Sequence, residues 1–189
     1  MAYQLNFSIE QPICLLSKDE CIIQYQHLLH QIKTSVDKTN EFELDFTQVT
    51  WINSIGVEEV ILKVLETLEA ISTKAHRYSL VLKNLSEDRY FHAFNIHVLL
   101  YYRKKAITAL RSNGSPFCLG RYPKATQELL DVLFQANDVI SPRMVAQKLN
   151  KIPNLVNTQL KQLYDLGVIH REQRMTKNGG INQFYSYLK

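Results

Sequence analysis

Three helical stretches near the C-terminus constrain the fold of this chain most. Apolar residues recur at helical spacing over 124–135, 142–149 and 153–166. Ser141 followed by Pro142 is typical of a helix start, because the serine can cap free N–H groups and proline suits the first turn. In the third stretch Val156, Leu160 and Leu163 lie on one face. The sequence therefore predicts three helices between 123 and 167.

Two strand-like runs, 168–172 and 183–188, follow the third helix, which is expected to end at Gly167 in the left-handed conformation. The stretch 177–180 between them contains Asn178 and Gly179, a strong β-hairpin signal. Three helices and a β-hairpin resemble the winged helix-turn-helix superfamily. Residues 140–149 are similar to its second helix, 153–169 to its recognition helix and first wing strand, and 184–187 to its returning strand.

Charge and helical geometry point the C-terminal segment toward double-stranded DNA. Residues 1–122 carry 13 Lys/Arg and 13 Asp/Glu, whereas 123–189 carry nine Lys/Arg and five Asp/Glu, so the last third holds all of the net charge of +4. Burial of the apolar face turns a polar face outward. Its members and the nearby cations are the predicted DNA-binding residues: Asn154, Asn157, Thr158, Lys161, Arg143, Lys148, Arg174 and Lys177.

These side chains suit different parts of a DNA duplex. An α-helix fits the major groove, where asparagine can bond adenine bidentately and threonine can reach bases or phosphates. Lys161, Arg143 and Lys148 are expected at phosphates, and Arg174 and Lys177 at the backbone or minor groove beside the wing. The open alternatives are an ordinary solvated surface and a winged helix that docks protein.

The first two thirds of the chain predict an α/β domain. Strands are expected over 3–9, 12–16, 41–46, 78–83 and 97–102, and helices over 20–36, 55–73, 86–94 and 103–110, with Ser86 as a cap. In 41–46 apolar residues alternate with Glu41, Glu43 and Asp45, which are expected to face away from the core. This pattern predicts a mixed sheet with helices mainly on one face and solvent on the other.

A cluster of turn-forming residues at 112–116 marks a boundary between two parts. It cannot continue a helix, and Gly120 and Pro123 follow closely. The predicted organisation is an α/β domain over 1–112, a linker over 113–122 and a winged helix over 123–189.

The N-terminal part resembles STAS domains, the anti-sigma-factor-antagonist fold. The residues that carry the resemblance are 44–46, Val49, 52–57, 80–86 and 106–110, the last similar to the family's closing helix. It covers roughly 1–111 and implies a domain that receives a signal or binds a regulatory protein. In phosphorylated members the serine after an acidic residue accepts phosphate from a kinase, and that position here is Ser54. The chain departs from the pattern at Asn53, which replaces aspartate, and at Ile55.

The chemistry of Ser54 allows two roles. A serine before a helix can cap it by accepting a backbone N–H, worth about 1 kcal/mol. A phosphate there would meet free N–H groups and add negative charge beside Glu58 and Glu59. The predicted partner-binding residues are accordingly Asn53, Ser54, Glu58 and Glu59, with Ser54 as candidate phosphorylation site.

Other functional classes find little support in the sequence. No apolar run approaches the roughly 20 residues of a membrane span, and the first residues lack a signal peptide, so a cytoplasmic protein without membrane contact is expected. Three cysteines without a C-x-x-C pair predict free thiols and no zinc ribbon. No catalytic constellation, metal site or cofactor motif is recognised, so the chain is not expected to be an enzyme.

The sequence therefore predicts a DNA-binding transcriptional regulator. A homodimer is expected, because one short helix reads few base pairs. The alternative is an interaction protein of a partner-switching pathway, which binds a serine kinase or another regulatory protein and no DNA.

Overall fold

A five-stranded sheet lies at the centre of the molecule, with a layer of helices on each face. The computed structural model describes residues 2–8, 13–73, 76–85, 90–111, 113–123, 125–136, 138–175 and 181–187. The strands are β1 (Tyr3–Leu5), β2 (Ile13–Leu15), β3 (Glu41–Asp45), β4 (Val49–Ile52), β5 (Ser79–Lys83), β6 (Ala106–Leu110), β7 (Pro116–Gly120), β8 (Ile169–Met175) and β9 (Ile181–Tyr187). The helices are α1 (Lys18–Ser35), α2 (Ser54–Gly56), α3 (Lys63–Ile71), α4 (Tyr90–Tyr102), α5 (Thr126–Gln135), α6 (Pro142–Leu149) and α7 (Pro153–Asp165). A π-helical stretch, Val57–Leu62, joins α2 to α3.

The order of strands in the central sheet is β1-β3-β5-β6-β7. The first four strands are parallel, and β7 pairs antiparallel with β6. β2 and β4 form a separate parallel pair. Parallel neighbours require crossover connections, and helices supply them here. The predicted mixed α/β class is confirmed at this level.

The N-terminal helices bury the first face of the sheet. Phe42, Leu44 and Phe46, which alternate along β3 and just beyond it, are at most 2% exposed, as the sequence predicts. They belong to one core with apolar residues of α1, the π-helical stretch, α3 and α4. Burial of a large apolar side chain contributes about 1.5–3 kcal/mol, so this layer fixes the register of β3 and β5.

The second face of the sheet is not exposed to solvent, contrary to the prediction. Val81, Ala106 and Cys118 from β5, β6 and β7 share a core with α5, α6, α7 and the pair β8–β9. Glu41, expected to face away, is 6% exposed, and its Oε2 lies 2.9 Å from Nε2 of His170 on β8. The predicted alternation along β3 is therefore correct, but a second layer covers the face of the sheet that was expected to be exposed to solvent.

Two elements before the C-terminal third differ from their predicted type. Residues 97–102, predicted as a strand, belong to helix α4, and 103–110, predicted as the closing helix, contain strand β6. The expected Ser86 cap lies outside the described residues. The physical reason is that α4 is apolar nearly all round and β6 is buried on both faces, so neither has a clear period.

The predicted linker also contains a strand. Residues 116–120 form β7, which pairs with β6 over Ala106–Leu110. The turn residues between these strands close a hairpin, in which Asn113 Oδ1 accepts hydrogen bonds from the N–H and hydroxyl of Ser115. Turn-forming residues cluster in hairpins as well as in linkers, so the cluster alone does not distinguish the two. The division of the chain into domains stays a prediction.

The C-terminal third contains the predicted three helices and two strands. β8 and β9 pair antiparallel from Ile169↔Tyr187 to Met175↔Ile181, and Ile140 adds a bridge to Tyr185. Gly167 adopts φ 71°, the left-handed conformation expected after a helix. The predicted turn at Asn178 and Gly179 lies outside the described residues.

Candidate nucleic-acid interface

Helix α7 presents one apolar and one polar face. Val156, Leu160 and Leu163 are completely buried, which is the predicted i, i+4, i+7 pattern. The four residues predicted to face DNA from this helix are all exposed: Asn154, Asn157, Thr158 and Lys161. The Thr158 hydroxyl donates a hydrogen bond to the Asn154 carbonyl at 3.0 Å, so it would meet a ligand mainly as an acceptor.

Helix α6 is capped at both ends, and its connection to α7 is tied to α5. The Ser141 hydroxyl accepts the N–H of Met144 at 3.3 Å, as the Ser-Pro pattern predicts, and Asn150 ends the helix in the left-handed conformation. Lys151, in the connection to α7, forms an ion pair with Glu128 on α5. Arg143 and Lys148 are both exposed, and neither has a carboxylate within 4.0 Å among the described residues. Both cations are therefore available to a polyanion beside α7.

The cation on the hairpin is partly engaged within the chain. Arg174 Nε donates to Glu172 Oε1 at 2.8 Å, and the guanidinium lies 5.1 Å from the centre of the Phe184 ring. The hydrogen bond from Arg174 lowers the pKa of the Glu172 carboxyl. An exposed pair of this kind is screened by solvent and contributes little, so a phosphate can compete for the arginine. Lys177 lies outside the described residues.

Apolar side chains that the sequence analysis did not single out surround the polar face of α7. Met144, Ile152 and Leu155 are 51%, 68% and 50% exposed. They lie on α6, before α7 and in its first turn. Their exposure gives the surface a mixed character, with an apolar end near the start of α7 and a polar middle.

The turn before α2 differs from prediction in its capping residue. Asn53, and not Ser54, caps the helix, because Asn53 Oδ1 accepts the N–H of Gly56 at 3.0 Å. The same side chain donates to the Leu16 carbonyl at 3.0 Å, which ties the turn to the end of β2. Ser54 is the first residue of the helix and is exposed. An asparagine is as good a cap as a serine, and its amide has the further donor that Leu16 uses.

The two glutamates that were expected beside Ser54 as partner-binding groups are both paired within the chain. Glu58 pairs with Arg103 at the end of α4, and Glu59 Oε2 lies 2.5 Å from Lys63 Nζ one helical turn later. The hydrogen bond from Lys63 lowers the pKa of Glu59. Their negative charge is therefore largely neutralised.

A cleft beside the C-terminal end of α7 was not predicted. It is a shallow depression, widely open to solvent, of ≈ 640 Å³, and it is lined by Lys104, Arg121, Tyr122, Pro123, Gln162, Asp165 and Leu166. Lys104 and Arg121 are exposed. The run 101–105, Tyr-Tyr-Arg-Lys-Lys, combines aromatic and basic residues, which is typical of a nucleic-acid-binding surface. This run is divided between a predicted strand and a predicted helix, so the pattern was missed.

Neither a metal-binding cluster nor a membrane-spanning helix is found in the described ranges. There, no group of three or more His, Cys, Asp or Glu side chains is close enough to hold a metal ion. The three cysteines are free thiols, and burial raises the pKa of Cys118 to about 12. No helix within these ranges has the length and apolar character that a bilayer crossing requires.

Comparisons with known proteins add little to this geometry. No family model matches the chain, and no curated protein matches its sequence. One solved structure, named "Possible transcriptional regulator from Methanosarcina mazei Go1", aligns at 18% identity over 35% of this chain and 57% of that chain, with a TM-score of 0.33. A TM-score this low supports no inference about function.

Proposed function

We propose that this protein is a DNA-binding transcriptional regulator, in which residues 123–189 act as a winged helix-turn-helix domain and the N-terminal part as a STAS-like domain that receives a signal. One observation carries the proposal. The side of α7 opposite Val156, Leu160 and Leu163 presents Asn154, Asn157, Thr158 and Lys161 to solvent.

The dimensions and chemistry of this face suit the major groove. Thirteen helical residues span about 20 Å, and a groove about 12 Å wide admits one helix. Asn154 and Asn157 carry the donor and acceptor pair that recognises adenine. Lys161, Arg143 and Lys148 supply charges for phosphates on either side of the helix.

Binding to labelled genomic fragments at several salt concentrations, followed by fluorescence anisotropy, tests this proposal. We expect the logarithm of the binding constant to fall linearly with the logarithm of salt concentration, at about 0.9 per phosphate contacted. Lys161→Ala should lower that slope by about 0.9. Asn157→Ala should weaken binding to the preferred fragment by about 1–3 kcal/mol and leave the slope unchanged, because a base contact releases no counterion.

Lys33→Asn is the matched control. Lys33 is exposed on α1, which packs on the opposite face of the sheet, and its loss changes the net charge by the same amount as the loss of Lys161. Equal binding by the protein and by Lys161→Ala and Asn157→Ala, or no salt-dependent binding to any fragment, would contradict the proposal.

The proposed regulator acts as a homodimer in the cytoplasm and catalyses no reaction. Two copies double the base contacts of one short helix, and two-fold symmetry would then be mirrored in the DNA site. Light scattering of the protein with and without a bound fragment measures this stoichiometry, and one copy per binding site would contradict the dimer.

A second candidate function has its own supporting observation. The exposed Met144, Ile152 and Leu155 suit a protein surface better than a phosphate backbone, which favours a partner-switching protein that binds a serine kinase or another regulatory protein. Such a protein should show no salt-dependent DNA binding. Its partner affinity should differ between Ser54→Asp and Ser54→Ala, and mass spectrometry should detect phosphate on Ser54 in protein from its native cell.

A further inference from the structure

The cleft at the end of α7 brings together residues from the C-terminal third and residues that precede it in the chain. Lys104 follows α4, Arg121 and Tyr122 follow β7, and Gln162 and Asp165 belong to the last turn of α7. Gln162 lies one helical turn beyond Thr158, on the same side of α7 as the polar face described above. The cleft therefore continues the candidate DNA interface from α7 toward residues that precede the C-terminal third.

The two cations of this cleft are not neutralised within the described part of the chain. The basic residues beside Lys104 are engaged, since Arg103 pairs with Glu58 and Lys105 pairs with Glu69. Neither Lys104 nor Arg121 has a carboxylate within 4.0 Å among the described residues. With Asp165 as the one carboxylate in the lining, the cleft has an excess of one positive charge.

The position of Lys104 is fixed by the way α4 ends. Lys104 adopts φ 57°, in the left-handed region. Its N–H donates to the Tyr101 carbonyl at 3.1 Å, and the N–H of Lys105 donates to the Leu100 carbonyl at 2.9 Å. This is the hydrogen-bond pattern of a Schellman motif. It holds the backbone of Lys104 in one conformation without any ligand.

The aromatic side of the cleft is also held in place. The His97 ring stacks on Tyr101 at 6.2 Å and contacts Tyr122 edge-on at 6.4 Å, between ring centres. His97 Nδ1 in turn accepts the N–H of Gly120 at 3.2 Å. Tyr122 is 41% exposed, and a tyrosine hydroxyl is a common donor to phosphate oxygens.

Gln162 lies well beyond the residues of α7 that are proposed to contact bases. Eight residues separate Asn154 from Gln162, which is about 12 Å along the helix. A recognition helix contacts base edges with its N-terminal residues. When Asn154 and Asn157 meet base edges, the C-terminal end of α7 points out toward the phosphates that border the groove, and Lys104 and Arg121 lie at that end.

We infer that Lys104, Arg121 and Tyr122 bind the phosphate backbone of the same duplex that α7 contacts, so that the C-terminal third and the segments before it form one DNA footprint. The inference rests on the proposed DNA-binding function. Asp165 opposes the phosphate at this point and limits the affinity of the cleft.

Anisotropy titrations at several salt concentrations, with one duplex and the full chain, test the inference. Lys104→Asn removes the charge and suits the left-handed backbone, because asparagine adopts this conformation more readily than most residues. Arg121→Gln removes the second charge. Each should lower the salt slope by about 0.9 and weaken binding roughly fivefold near 0.15 M salt. Asp165→Asn should tighten binding. Lys33→Asn, with the same charge change on the opposite face, should leave the slope unchanged.

Hydroxyl-radical footprinting supplies a second readout. In the double variant Lys104→Asn/Arg121→Gln, protection should disappear at one edge of the footprint and persist at its centre. Loss confined to one edge supports the inference, whereas uniform weakening without a change of footprint overturns it.

The outcomes separate this inference from the proposed function. If Lys161→Ala weakens binding and the cleft variants do not, the inference is wrong and the proposed function stands. If the cleft variants weaken binding and the α7 variants do not, the cleft binds DNA and the proposed role of α7 is wrong. The inference is also overturned if the protein binds one separated strand of this DNA as tightly as the duplex, or if it binds no DNA at all.

Discussion

Replacement of Gly56 by alanine should destabilise this protein, although the same change stabilises most helices. Gly56 has ordinary helical torsion angles, φ −61° and ψ −42°. On propensity alone the alanine would gain about 1 kcal/mol. A Cβ at this position, however, would lie 2.4 Å from the Leu15 carbonyl oxygen and 2.8 Å from Cγ1 of Ile52.

The expected loss of stability follows from the short distance between the added Cβ and the Leu15 carbonyl oxygen. A Cβ and a carbonyl oxygen normally stay more than 3 Å apart, so α2 must move away from the end of β2. Overpacking costs about 1–3 kcal/mol, and a clash with a backbone oxygen at 2.4 Å belongs to the upper part of that range, about 2–3 kcal/mol, from which the gain in propensity of about 1 kcal/mol is subtracted. We expect a net loss of about 1–2 kcal/mol. At about 2–4 °C per kcal/mol for a chain of this size, Tm falls by several degrees.

Urea denaturation followed by circular dichroism measures this change. Ser54→Ala is the matched control, because Ser54 lies in the same turn of the helix, is exposed and does not provide the cap. It should change the free energy of unfolding by less than about 0.5 kcal/mol. A Gly56→Ala protein that is as stable as the original, or more stable, would refute the close approach of α2 to β2.

Three further predictions concern the core, one carboxyl and the thiols. Leu160→Ala should lower the free energy of unfolding by about 2–5 kcal/mol in urea titrations, because Leu160 is completely buried in the C-terminal core; a loss below 1 kcal/mol would contradict that burial. Burial raises the pKa of Asp45, but hydrogen bonds from Thr47 and Asn84 outweigh it, so the pKa lies below its ordinary value. Asp45 therefore stabilises the fold above about pH 4, and this contribution is lost as pH falls through the lowered pKa. Thr47→Val should raise the pKa of Asp45 in NMR titrations and lower stability at pH 7 more than at pH 3; an unchanged pKa would refute this. With a disulfide reagent at pH 8, Cys14 should react well before Cys118, whose pKa burial raises to about 12; equally fast reaction would contradict the burial of Cys118.

The parts of the fold that the sequence predicts best are those whose pattern arises locally. The apolar period of α7 and the cap at Ser141 belong to one helix each, and the structure has both. The exposed polar face of α7 follows from the same period, so the positions of Asn154 and Lys161 could be predicted before any tertiary contact was known. What these side chains bind is not a local property, and it stays a proposal.

The parts that the sequence did not predict depend on contacts between distant segments. Residues 97–102 were predicted as a strand and lie in α4, whereas 103–110 were predicted as a helix and contain β6. Because α4 is apolar nearly all round and β6 is buried on both faces, neither segment has a clear period, and pairing within the sheet decides which one becomes the strand. The cleft at Lys104 and Arg121 joins two points that precede the C-terminal third to the end of α7. Charge counting gave 1–122 a net charge of zero and so hid this local excess of positive charge.

The packing of the C-terminal third on the sheet bears most directly on how a signal could reach DNA. Val81 and Cys118 share one core with α7, the Thr108 hydroxyl donates to the Val168 carbonyl at 3.2 Å, and Glu41 Oε2 contacts His170. Separation of the C-terminal third from the sheet would expose this apolar surface to water and leave polar groups without their partners. Both effects cost free energy. A regulator with two loosely tethered domains would transmit a signal by changing their separation. For the regulator proposed above, we expect a signal to reach α7 through a small shift of the sheet, because α7 packs on that sheet and would move with it.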